Sequence, residues 1–149
     1  MSFYPFTAKI AKFVDRATTK LTLGVELFYV DFTMAITART PVGDPSLWAM
    51  PADKDYVPGT LANSWFTTVN APYSGGTRQP DANATESYRD AETKAASLPG
   101  NVLYFTNPTP YAHKIEFEGH SWQQAPNGMV RITVVEFEQR LRKSIRRAK

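Results

Sequence analysis

The chain has 149 residues, 42% of them hydrophobic and 21% charged, which suits one domain with its own core and argues against disorder throughout. Seventeen Lys and Arg against fourteen Asp and Glu leave a formal charge of +3. The absence of cysteine excludes disulfide scaffolds, zinc–thiolate and iron–sulfur sites, and thiol catalysis.

Residues 7–38 predict a long helix. Ile10, Phe13, Val14, Ala17, Leu21, Val25, Phe28, Phe32, Ala35 and Ile36 recur at spacings of three and four, with Thr7 as its N-cap. Lys9, Lys12, Arg16, Lys20 and Asp31 fall off that stripe. The length of the stripe suggests that part of it meets another subunit. No apolar run reaches the length of a bilayer span, and the N-terminus lacks the pattern of a signal peptide, so no membrane partner is expected.

Residues 39–60 predict a long loop, broken by Pro41, Pro45, Pro51 and Pro58 with Gly43 and Gly59. Long ordered loops in compact domains are usually functional. Thr60 caps a short turn over 61–64, and 65–70 predicts a strand. Residues 71–82 predict a mobile loop tip, and Asn83 with Glu86 a capping box opening a helix over 84–98. Residues 102–106 predict a second strand. Thr109, Pro110 and Gly119 are the N-cap, N1 and C′ signals of a helix over 110–118. After a loop at 120–128, one helix over 129–146 is expected from the spacing of Val130, Val134, Phe137, Leu141 and Ile145, although Val130–Val135 is β-prone. The fold class is α+β, one domain over 1–149, with a small antiparallel sheet and a basic C-terminal helix. Two strands are few for a stable sheet, so more strands are expected from the loops or from a neighbouring subunit.

The basic excess is C-terminal, with seven Lys and Arg against two Glu in residues 131–149. Arg140, Arg142, Lys143, Arg146 and Arg147 suit an acidic partner, a nucleic-acid backbone or plain solvation. No base-reading motif accompanies them, so contact with DNA would be without sequence preference, as in a DNA-backbone adaptor. His113, Glu116, Glu118 and His120 are close in sequence, but a surface cluster is favoured over a metal site. No nucleophile elbow surrounds Ser64 or Ser121, and no phosphate loop follows Gly75-Gly76. No cofactor and no enzymatic activity are expected. Aromatic residues cluster in the loops: Trp65 and Tyr111 read as local core, while Trp48 and Trp122 suit either a core lid or an interface.

Three stretches in order carry a resemblance: Arg39-Thr-Pro-Val-Gly-Asp-Pro45; Pro58-Gly-Thr-Leu-Ala-Asn-Ser-Trp65; and Asn107-Pro-Thr-Pro-Tyr-Ala-His-Lys-Ile-Glu-Phe-Glu-Gly-His-Ser121, running on to Gln124-Ala-Pro-Asn-Gly-Met-Val-Arg131. This order resembles the neck proteins of long-tailed bacteriophages, known as tail-completion or head–tail joining proteins. The resemblance covers about 7–146 and implies a structural virion protein of the tail and neck, assembled in the host cytoplasm. It implies a ring, commonly of six copies, between the capsid connector or head-completion protein and the tail tube or tail terminator, with genomic DNA passing through the lumen. Insertions at 41–59 and 71–82 depart from the family pattern and are expected to be docking loops. On that basis Trp48, Tyr56, Tyr73 and Trp122 are candidate anchors to neighbours. Arg140, Arg142, Lys143, Arg146 and Arg147 are candidate contacts to DNA or an acidic partner. Pro41, Gly59, Leu61, Trp65, Tyr111, Glu116 and Gly119 are expected to shape the motifs.

Overall fold

The computed structural model describes residues 4–52, 54 and 56–149, and side chains from residue 7 on. In chain order its elements are α1 (Tyr4–Ala38), a 3-10 turn (Pro45–Leu47), α2 (Thr60–Asn63), β1 (Phe66–Val69), α3 (Thr85–Ala95), β2 (Leu103–Thr106), α4 (Ala112–Phe117), α5 (Val130–Val134) and α6 (Phe137–Arg147). The α+β class expected from the sequence is observed. Thr7 lies inside α1 rather than ahead of it.

The second half of α1 is the spine. It packs on α6 along one side and on α3 along another. Phe137 of α6 meets Phe28 and Phe32 edge-on. A β-carbon at Gly24 would stand 3.0 Å from the Ile145 Cα, so glycine lets the two backbones approach closely. Four threonines, three on helices and Thr40 just past the end of α1, are buried at little polar cost. Thr33, Thr37, Thr40 and Thr133 each donate their hydroxyl to the carbonyl four residues back. The core gathers Ile36, Leu61, Trp65, Ile115, Ala125 and Met129, with Phe105 stacked on Trp65.

β1 and β2 pair antiparallel in the register Phe66↔Thr106 to Val69↔Leu103. The expectation of further strands is corrected: among the described residues the sheet has two. α3 substitutes for a third at one point. Thr67 N–H donates to Asp90 Oδ2 at 2.8 Å, and Lys94 Nζ donates to Thr67 O at 2.6 Å. Side chains thereby occupy the outer edge of β1 at Thr67.

Local signals were partly overridden. Gly59, at φ +104°, precedes α2, and Thr60 is its first residue rather than its cap. The Asn83–Glu86 capping box does not form. Asp81 accepts from Asn83 N and Thr85 N, while Asn63 Oδ1 accepts from Glu86 N. Thr109 does not cap α4; its buried hydroxyl has no partner among the described residues. The single C-terminal helix is broken at Val135–Glu136. The β-branched pair Val134-Val135 weakens the helix there. Arg39 holds the break, donating to Thr133 Oγ1 and to Glu136 Oε1, both at 2.8 Å.

Candidate interaction site

The described residues of 43–58 lie outside the core. Their ends are tied by Gly59 N–H donating to Val42 O at 2.8 Å, which makes the segment a closed surface excursion. Within it Asp44 caps the 3-10 turn, accepting from Ser46 N and Ser46 Oγ at 3.0 and 2.6 Å, and these bonds hold its carboxyl below the usual range. Trp48 and Tyr56 meet edge to face at 4.8 Å. Facing this excursion, Tyr111 enters from the start of α4 and Trp122 from the turn beyond it. Gly119, at φ +67°, ends α4 as expected and turns the chain toward that loop.

Between the two segments lies an open groove of about 330 Å³. The buried side chains of Leu61 and Ile115 form its base, and Trp48, Tyr56, Tyr111 and Trp122 line it. Tyr111 is thus a groove residue, 41% exposed, rather than local core. Burial pushes the Tyr56 and Tyr111 phenols up, so they stay protonated donors across the physiological range. Asp44, Lys114 and His120 add sparse polarity. Such a surface suits apolar anchors from a macromolecule.

The motif residues sit beneath this groove and bind its two sides together. Trp65 Nε1 donates to Thr40 Oγ1 at 2.8 Å, and Asn107 Nδ2 donates to Leu61 O at 2.8 Å. Pro41 is buried at the groove's inner edge. Glu116 turns inward, accepting from Met129 N and Val130 N on Oε2 and from Arg131 N on Oε1, at 2.7, 3.0 and 2.8 Å. Burial opposes its ionisation, but these three donors together with Arg131 outweigh it and hold the carboxyl below its ordinary value. Gly128 gives the room for this, since a β-carbon there would lie 2.7 Å from Glu116 Oε1. With Glu116 committed, only Glu118 remains between His113 and His120, at 3.6 and 3.4 Å. Among the described residues no group of three or more potential metal ligands converges.

Two expected contact residues are used within the chain. Tyr73 stacks flat on Phe66 at 3.7 Å and donates to Gly76 O. Arg140 bridges Asp31 at 2.6 Å and Glu136 at 2.7 Å, fastening α6 to α1, so it is not part of the free basic face. Arg142 pairs with Glu138, whereas Lys143, Arg146 and Arg147 make no ion pair among the described residues. Arg78 was missed by sequence reasoning. Set in the supposed mobile tip, it lies over the Phe66 ring and donates to Asn63 O, Trp65 O and Asp90, which pins 71–82 to the body. Its only sequence signal was a lone cation among small and turn-forming residues.

The other conspicuous surface is the first half of α1. Ile10, Phe13, Val14 and Leu21 form an exposed stripe, Phe13 at 72% exposure. Lys9, Lys12, Arg16 and Lys20 share an adjacent face and make no ion pair among the described residues. By length and composition α1 is apolar enough to cross a membrane, contrary to the reading from sequence, although its second half is engaged by α3 and α6.

No protein family, curated protein or solved structure matches this chain.

Proposed function

We propose that the protein is a structural component of a long-tailed phage virion. In this reading it forms a ring, of six copies, at the head-proximal end of the tail and joins the tail to the capsid connector. One observation carries the reading. The three sequence stretches whose order resembles the neck proteins are hydrogen-bonded to one another as one unit: Thr40 to Trp65, Val42 to Gly59, Leu61 to Asn107, and Glu116 to 129–131. Motifs that lie far apart in sequence therefore act together, and what they build is a scaffold presenting an aromatic groove. A protein of this kind works by placing surfaces rather than by moving protons.

The test is native mass spectrometry of the full chain, alone and mixed with the connector and tail-tube proteins encoded beside it. A closed ring, alone or in the mixture, is expected. A chain that ignores both partners overturns the reading. Deleting 44–57 is expected to abolish joining while leaving the fold cooperative, because Val42 and Gly59 already meet at the base of that excursion. Virions completed by the deleted protein would remove the excursion from the joining surface.

A second reading is a DNA-backbone adaptor, favoured by Lys143, Arg146 and Arg147 on α6, which make no ion pair among the described residues. It predicts DNA binding that falls steeply with salt, with each removed cation lowering the slope by about one.

A further inference from the structure

Two surfaces of this molecule are incomplete, and each supplies what the other lacks. The first is the arm, residues 7–23 of α1, whose apolar stripe continues the face that α6 covers further along the same helix. The second is the groove under Trp48 and Trp122, with an apolar base that the described residues leave open. The charges are complementary. Residues 1–23 and 142–149 together carry nine Lys and Arg against one Asp; the rest of the chain carries eight against thirteen Asp and Glu. The chain is thus a formal +8 pole joined to a −5 body that carries the groove, with Asp44 among the groove's lining residues and Lys114 and, when protonated, His120 opposite it in charge.

A chain cannot satisfy itself. Phe13 and Ala38, the last residue of α1 before the groove's first wall, are 25 residues apart on one continuous helix, about 38 Å at 1.5 Å per residue. Pairing two arms with each other would cover the stripe but leave the apolar base of the groove unmatched. DNA would satisfy the cations and leave Ile10, Phe13, Val14 and Leu21 wet.

We infer that the arm of one copy docks in the groove of the next, Phe13 and its neighbours entering between Trp48 and Trp122 as an amphipathic helix enters an apolar cleft. The contact is head to tail, so it leaves a free arm and a free groove at the two ends of any partial assembly and is completed only by ring closure. The inference rests on the assembly reading above and names the contact that builds it.

The experiment uses full-length chains carrying Phe13→Asp, or Trp48→Ala with Trp122→Ala. All three side chains are exposed, so the fold tolerates the changes. Masses are read by native mass spectrometry across a concentration series. The unaltered chain is expected to assemble, and each variant alone to associate about 30-fold more weakly or worse. An equal mixture of the two variants is expected to give a dimer and nothing larger, because only one intact arm meets one intact groove. An unaltered chain that stays monomeric to about 1 mM overturns the inference. So does either variant assembling normally, or a mixture that stays monomeric. Because the chain has no native cysteine, Phe13→Cys and Gln123→Cys chains mixed under mild oxidation give a second readout. A cross-link between the two supports the contact; one formed by Phe13→Cys chains alone assigns the arm to another arm and overturns it. Binding to anionic vesicles that Phe13→Asp abolishes, without self-association, assigns the arm to a membrane and overturns it too. A monomer that still joins connector and tail tube sinks this contact and leaves the neck reading standing; an arm–groove ring that ignores those proteins does the reverse.

Discussion

The two halves of α1 obey one sequence rule and meet opposite fates. From Gly24 onward the apolar face is covered: Phe28 and Phe32 take Phe137 against them, and Ile36 is 2% exposed in the core. Before Gly24 the same spacing continues through Leu21, Val14, Phe13 and Ile10, and that face is open to solvent. Periodicity therefore tells which side of a helix wants a partner and says nothing about whether the chain supplies one. α6, with 11 residues against 35 in α1, is too short to cover it all.

The contrast can be broken most forcefully in the covered half. Ile36→Ala is expected to cost about 2–5 kcal/mol in urea unfolding, through lost transfer energy and the cavity left behind. A cost below about 1 kcal/mol would mean that the covered half is no better packed than the arm. Gly24→Leu tests the closest approach of α1 and α6. The added side chain meets the Ile145 backbone, and a loss of about 1–3 kcal/mol is expected despite the gain in helix propensity. Unchanged stability would show that the helices are not seated there.

Acid should loosen the covered half selectively. Hydrogen bonds from Arg39 and Arg140 bring the Glu136 carboxyl down to about 2 from an ordinary 4.5. A carboxyl depressed in the folded state binds fewer protons than in the unfolded chain. Its stabilisation is therefore fully present above about pH 4.5 and is lost as pH falls toward about 2. Thermal unfolding of Glu136→Gln should show a shallower decline over that window than the parent; parallel curves would remove Glu136 from the linkage. The smallest effect belongs to the arm. Phe13→Ala in the monomer is expected to move stability by no more than about 0.5 kcal/mol, checked by the same urea titration. A loss of several kcal/mol would mean that the arm is packed after all.

Where the sequence was read correctly, the signal was local or periodic. Trp65 was read as local core and is 5% exposed; Gly119 was read as the C′ residue of a short helix and ends α4. Where it misled, a distant group had won. Asn83 and Glu86 had the spacing of a capping box, but Asp81 and Asn63 took the backbone donors first. Arg140 looked like its basic neighbours on α6, yet it faces Asp31, which lies 109 residues earlier. Of the four aromatics assigned to an interface, three line one groove, while Tyr73 stacks on Phe66.

What the sequence determined alone follows from short-range physics. Apolar spacing set the long helix and its wanting face, prolines and glycines set the 41–59 excursion, and the charge list placed a basic excess at the C-terminus. Only the tertiary structure decided which half of α1 finds a partner, that Glu116 spends its charge on the start of α5, that α3 caps the β1 edge of a two-stranded sheet at Thr67, and that Trp48 and Trp122 line one groove. Each of these joins groups tens of residues apart, and such a meeting is set by how the elements pack, which no local pattern encodes.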